Sequence, residues 1–222
     1  MNLNIPYMET DNKLLNDAYR IAAGDIVGNI VYYQNGLLTE EKPCMIAGLD
    51  YNTPWTRDTA INIWNALSIL SPEVSKNTLL AVLEEEEGNI YIGGQYWDSI
   101  IWMIGAREYC RFHKDDNFYR LAFEAGRNSV HRLEEDEFDE EDGLFRGPAV
   151  YGDGIAAYPD KYSKCPNQGS GILEWVDYPG NPVYPKGYGI PMKALSTNCV
   201  YFKVYEILAE MAHALGEPAK EF

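Results

Sequence analysis

The sequence predicts an all-α fold, an α/α toroid of helical hairpins with one long irregular loop and a short β-hairpin. Three observations lead there. Six segments place apolar residues at helical spacing. The second, fourth and sixth are apolar nearly all round, whereas the first, third and fifth keep a charged face. The stretch 136–195 is rich in Gly, Pro and Tyr and has no helical period. A helix hydrophobic on every side must be surrounded by protein, so amphipathic neighbours have to cover it. The order outer, inner, outer, inner, outer, inner makes three hairpins whose inner helices all start on one face.

The first segment, 11–24 (DNKLLNDAYRIAAG), spaces Leu14, Leu15, Ala18, Ile21 and Ala22 along one side. Residues 24–50 are β-branched and aromatic with Gly and Asn breaks, which suits a short strand or hairpin. DTAINIWNALSIL (58–70) is the first inner helix. SPEVSKNTLLAVLEEEE (71–87) is amphipathic, with Ser71 as N-cap and Pro72 in the first turn. DSIIWMIGAREYCRF (98–112) is the second inner helix, and 115–135 shows a charged face of Arg120, Glu124, Arg127 and His131. STNCVYFKVYEILAEMAHALG (196–216) is the third, closing at Gly216. An irregular stretch as long as 136–195 inside a compact domain is rare and usually functional. Residues 1–222 are read as one domain.

Composition narrows the function. The formal charge of −16 argues against nucleic acid, which needs a basic stripe, and equally against an anionic membrane surface. No apolar run approaches the ~20 residues of a membrane span. The start, MNLNIPYMETDNK, lacks the basic and apolar regions of a signal peptide. Cys44, Cys110, Cys165 and Cys199 lie far apart without metal spacing, so reduced, mostly buried thiols in a cytoplasmic protein are expected. DEFDEEDG at 136–143 fails as a calcium loop because Phe138 stands where the first Asp should be, and no metal or cofactor is expected.

The inner helices open on PWTRD, QYWDS and ALSTN. Shared direction would gather Trp55, Arg57, Asp58, Gln95, Trp97, Asp98, Thr197 and Asn198 around one pit. Aromatic rings cover the apolar faces of sugars, and carboxylate and guanidinium groups bond hydroxyls in pairs. The plainer reading is that Asp58, Asp98 and Ser196 are N-caps and the tryptophans are core; a cap, however, needs no Trp or Arg before it. Among the acids, 134–142 (EEDEFDEED) reads mostly as a solvated run. Asp153 stands apart, between two glycines and flanked by Tyr151 and Tyr158.

NTPWTRD, GGQYWDSIIWMIGA, DGLFRGPAVYGDG and ALSTNCVYF, in that order, resemble the six-hairpin glycoside hydrolases that include glucoamylase, trehalase and the processing α-glucosidases. The resemblance implies an (α/α)6 barrel of which this chain is the N-terminal half. It implies that Arg57 and Asp58 hold the terminal sugar; the shared helix starts add Trp55, Gln95, Trp97 and Asp98 around it, and Tyr151 stands beside Asp153. It also implies inverting hydrolysis of a terminal α-linked sugar, a glucoside first, by an acid/base carboxylate pair. Asp153 is the leading acid, with Asp142 and Glu141 behind it, although Gly152 stands where trehalase-like relatives have an aromatic residue.

Three hairpins cannot close such a ring, so the inner helices should keep an exposed flank. Either the chain is part of a longer barrel or a second copy covers that flank. The first is favoured, with the catalytic base absent and the isolated chain inactive; Glu174 and Asp177 are not taken as the base. The alternatives are a non-catalytic sugar-binding half-barrel and a sugar epimerase or lyase on the same toroid. The latter is disfavoured because His113, His131 and His213 all fall late in helices.

Overall fold

The computed structural model describes residues 5–94, 96–150 and 192–222. They are mostly helical with three small antiparallel sheets. Helix α1 (Lys13–Gly28) is capped by Asn12, whose side chain accepts from the Leu14 and Leu15 N–H groups. The expected hairpin follows as β1 (Ile30–Tyr33) and β2 (Lys42–Met45), with Ile30 opposite Met45. Helix α2 (Thr56–Asn62) continues without a break in helical backbone through a π turn (Ile63–Leu67) into α3 (Ser68–Leu70).

Ser71 caps α4 (Pro72–Ala81) by accepting from the Val74 N–H, as expected, with Pro72 in the first turn. The helix does not run on to 87. Leu83–Glu86 (β3) turns back on Asn89–Ile92 (β4) through Glu87 and Gly88, both at positive φ. Four glutamates favour a helix, but the hairpin lets Leu83 and Ile92 bury while Glu84, Glu85 and Glu86 stay in water. It is sewn to the next outer helix: Ser129 Oγ accepts from the Ile92 N–H at 2.8 Å, and Asn128 donates to the Ile90 carbonyl at 3.0 Å. Arg132 lies over the Tyr91 ring, 3.5 Å from its centroid, while pairing with Glu86.

Helices α5 (Trp97–Phe112), α6 (Asp116–Glu137) and α7 (Leu195–Leu215) complete the core, with the small pair β5 (Phe138–Asp139) and β6 (Leu144–Phe145) between the last two. α5 is central. It packs against α2 on one side and α7 on the other, while α4 covers α2 and α5, and α6 covers α5 and α7. Gly105 permits a close approach of α5 to α2: a β-carbon there would sit 2.8 Å from the Ala60 α-carbon. α7 ends on Gly216 in the left-handed conformation, with the Glu217 N–H reaching back to the Ala212 carbonyl.

One outer–inner expectation needs correction. α1, read as an outer helix, buries no residue; Leu14, Leu15 and Ile21 face water. The inner rods keep an exposed flank, as expected, with Trp64 and Ile69 on the α2–α3 rod and Leu195 and Phe202 on α7 exposed. Among the described cysteines, Cys44 is buried and Cys110 half-buried, but Cys199 is exposed, against the expectation of mostly buried thiols. No helix of the described residues is long and apolar enough to cross a membrane.

Candidate functional site

Arg57 is the second residue of α2, so it projects from the mouth of an otherwise apolar rod. Its guanidinium carbon lies 5.3 Å from the centroid of the Trp97 ring. Arg57 Nε is 3.8 Å from Asp58 Oδ2, and Nη1 is 4.0 Å from Asp98 Oδ1. Both separations exceed hydrogen-bond length, so these two pairings are electrostatic. The Arg57 and Asp98 side chains are 17% and 13% exposed. One cation is thus flanked by two carboxylates from separate helices, over an indole face. Thr56 Oγ1 fastens the two helix starts by donating to the Gly93 carbonyl at 2.9 Å.

The structure therefore brings together Arg57, Asp58, Trp97 and Asp98. It changes the role of one. Trp97 is 2% exposed, so its ring supports the guanidinium and offers no face to a ligand. Trp55, half exposed at 50%, keeps its ring accessible and meets Tyr51 edge-to-face at 6.2 Å. Gln95, Tyr151 and Asp153 lie outside the described residues, as do Cys165, Glu174 and Asp177.

The capping reading is also corrected. The N-cap positions are Trp55, Tyr96 and Ala194, none with a side-chain cap bond. Asp58 and Asp98 sit within the first turns, where a carboxylate still favours the positive helix end. At α7 the polar residues are occupied by the strap 145–150. Asn198 accepts from the Phe145 N–H at 2.8 Å and donates to its carbonyl at 3.0 Å. Thr197 Oγ1 donates to the Pro148 carbonyl, and Ser196 Oγ accepts from the Val150 N–H at 3.0 Å. Thr197 and Asn198 thus hold a loop instead of facing the pit.

Of the reserve acids, Asp142 pairs with Lys193 at 2.6 Å and Glu141 is exposed on the turn. Asp139 holds both Lys193 and Arg146, whose charges keep its carboxyl below the usual range, the Lys193 hydrogen bond foremost. Glu137 breaks the expectation of a solvated run, being only 7% exposed at the end of α6. Beside it Tyr201 stacks on Phe145, with ring centroids 3.6 Å apart, and burial followed by the Glu137 charge pushes its phenol well above the usual range. Tyr51 carries no signal in the sequence that marks it for the site, whereas Tyr96 is marked only by its place next to Trp97. No group of three or more metal-ligating side chains occurs among the described residues. No protein-family model matches the chain, and neither a curated protein nor a solved structure matches it.

Proposed function

We propose that the chain is a glycoside-hydrolase-like domain, half of an (α/α)6 toroid, that binds the terminal sugar of an α-linked glycoside, a glucoside first. The observation that carries this reading is Arg57, set over Trp97 between Asp58 and Asp98 where two nearly apolar helices begin. Fixed donors and acceptors of both signs suit the vicinal hydroxyls of a pyranose. The exposed Tyr51–Trp55 pair supplies an apolar wall beside them. Turnover in this reading is inverting: Asp153 protonates the leaving oxygen while a carboxylate-activated water attacks from the opposite face. No residue of this chain is assigned as that second carboxylate. The exposed flanks of α7 and the α2–α3 rod fit a toroid continued by further helices or covered by a second copy.

A non-catalytic sugar-binding role is the second reading, supported by the same constellation of Arg57, Asp58 and Asp98 with no second carboxylate assigned beside it. Epimerase chemistry is less well supported, since His113 already bonds the Ser68 carbonyl at 2.6 Å and His213 lies in the last turn of α7. The test is titration with glucose and with the iminosugar deoxynojirimycin, followed by calorimetry, alongside an assay with p-nitrophenyl α-glucoside. Saturable binding without turnover is expected. Absence of binding by either sugar refutes the site; hydrolysis by this chain refutes the view that it lacks its base.

A further inference from the structure

A cavity of about 630 Å³ opens between α7 and the β5–β6 pair, and no member of the Arg57 cluster lines it. Its size falls within the roughly 300–1,000 Å³ of small-molecule sites. Its walls are rings: Phe138 from β5, Phe145 from β6, Phe202 and Tyr205 from α7, and Phe222. Phe145 is the fixed member. Tyr201 stacks on it, and the rings of Phe138 and Tyr205 tilt against it with centroids 5.0 and 6.3 Å away. Asn198 holds the Phe145 backbone by accepting from its N–H and donating to its carbonyl. Phe202 is 67% exposed, so its ring can be reached from solvent.

Rings alone would take any apolar occupant; the charge around them selects one. Every residue from 134 to 142 except Phe138 is acidic, and Phe138 is the one whose ring enters the wall. Glu206 lines the cavity directly. The neighbouring bases are engaged: Arg146 and Lys193 pair with Asp139, and Lys203 pairs with Glu206 at 3.0 Å. Farther along α6, Arg132 pairs with Glu86, and His131 stacks on Phe222. The Tyr205 hydroxyl donates to Glu134, which makes its ring richer in electrons. Negative ring faces in a negative field attract a cation with an apolar surface.

We propose that this cavity binds a compact quaternary ammonium, a soluble trimethylammonium compound that carries no phosphate. The inference stands apart from the sugar-binding reading. Phe138, Phe202 and Tyr205 would face the methyl groups, with Glu206 beside them. A quaternary head has no N–H to satisfy, so walls made of rings suit it better than they suit a lysine-type ammonium. A choline phospholipid holds a phosphate close to its ammonium, and the acidic run repels that phosphate. A free cation is therefore the better fit than a membrane headgroup.

The experiment is calorimetric titration of the full chain at pH 8 and low salt with choline, its neutral isostere 3,3-dimethylbutanol, and phosphocholine. Choline should saturate with a Kd below about 1 mM, and the other two should bind at least about five-fold more weakly. Phe202→Ala should weaken choline binding about five-fold. Lys203→Ala releases Glu206 and should tighten it about two-fold. Trp55→Ala should leave it unchanged, and thermal unfolding checks that each variant folds. Failure of choline to saturate overturns the proposal, as does unaltered choline binding by Phe202→Ala. Equal affinity for 3,3-dimethylbutanol reduces the cavity to an apolar cleft, and equal affinity for phosphocholine reassigns it to a lipid headgroup; either overturns the proposal. Each of these results leaves the Arg57 site untouched.

Discussion

The guanidinium of Arg57 rests over the ring of Trp97 although the two residues belong to different helices and stand forty positions apart. The pair joins the first turns of α2 and α5, and it makes the planarity of arginine matter as much as its charge. Arg57→Lys keeps the charge but loses the plane and the paired donors. The variant should fold with a melting temperature near that of the parent and bind deoxynojirimycin about ten- to hundred-fold more weakly by calorimetry. Equal affinity would assign binding to other groups.

The two tryptophans of the site should separate by phenotype. Trp97 is buried, so Trp97→Ala should cost about 3–5 kcal/mol in urea unfolding. Trp55 is half exposed, so Trp55→Ala should change stability by less than about 1 kcal/mol while weakening sugar binding. A Trp55 variant that binds normally would remove the apolar wall from the proposal.

The β3–β4 turn carries Glu87 at φ +51° before Gly88 at φ +81°, the two-residue loop in which Asn is preferred at the first position. Glu87→Asn should stabilise the chain by about 0.5–1 kcal/mol, read as a higher melting temperature. It also removes one charge from the run Glu84–Glu87. A lower melting temperature would contradict the turn assignment.

Thiol chemistry should report the packing. Burial pushes the Cys44 thiol up to about 12 against a smaller opposing hydrogen bond with Thr78, and burial together with the Asp115 charge does the same at Cys110. Cys199 is exposed. In a Cys165→Ser background, a disulfide reagent at pH 8 should modify Cys199 in the folded chain. Cys44 and Cys110 should react only on unfolding, and raising the pH from 7 to 9 should not release them, because that range stays below both values. Three fast thiols in the native state would show a looser core.

The starts of α2 and α5 were legible because each is a nearly unbroken apolar rod preceded by polar residues, and such rods have to meet. That logic located Arg57, Asp58, Trp97 and Asp98 together. It failed where one residue type serves two settings. Nothing in the letters distinguishes the buried Trp97 from the exposed Trp55, since each precedes an Asp at a helix mouth. The four glutamates after Leu83 satisfy helical propensity, and only the burial of Leu83 and of Ile92, whose strand lies beside α6, selects the hairpin. Glu137 looks like its neighbours in the acidic run, and only the packing of α6 on α7 shows it enclosed. Charge at α1 correctly marks an amphipathic helix, but amphipathicity does not say that a partner surface lies within the same chain.

The π turn at Ile63–Leu67 gives the first rod a built-in phase offset. A π turn holds one residue more than the α-helical turn it replaces. Removing one residue within 63–67 should therefore return the stretch to regular winding and leave Arg57 in line with the neighbouring helix. The same removal within the regular turns of α2 beyond Arg57 would rotate the mouth of the rod by about 100° against its far end. A change in length is thus best absorbed along 63–67, where the buried Ile63 and Leu67 should resist exchange of side chains instead.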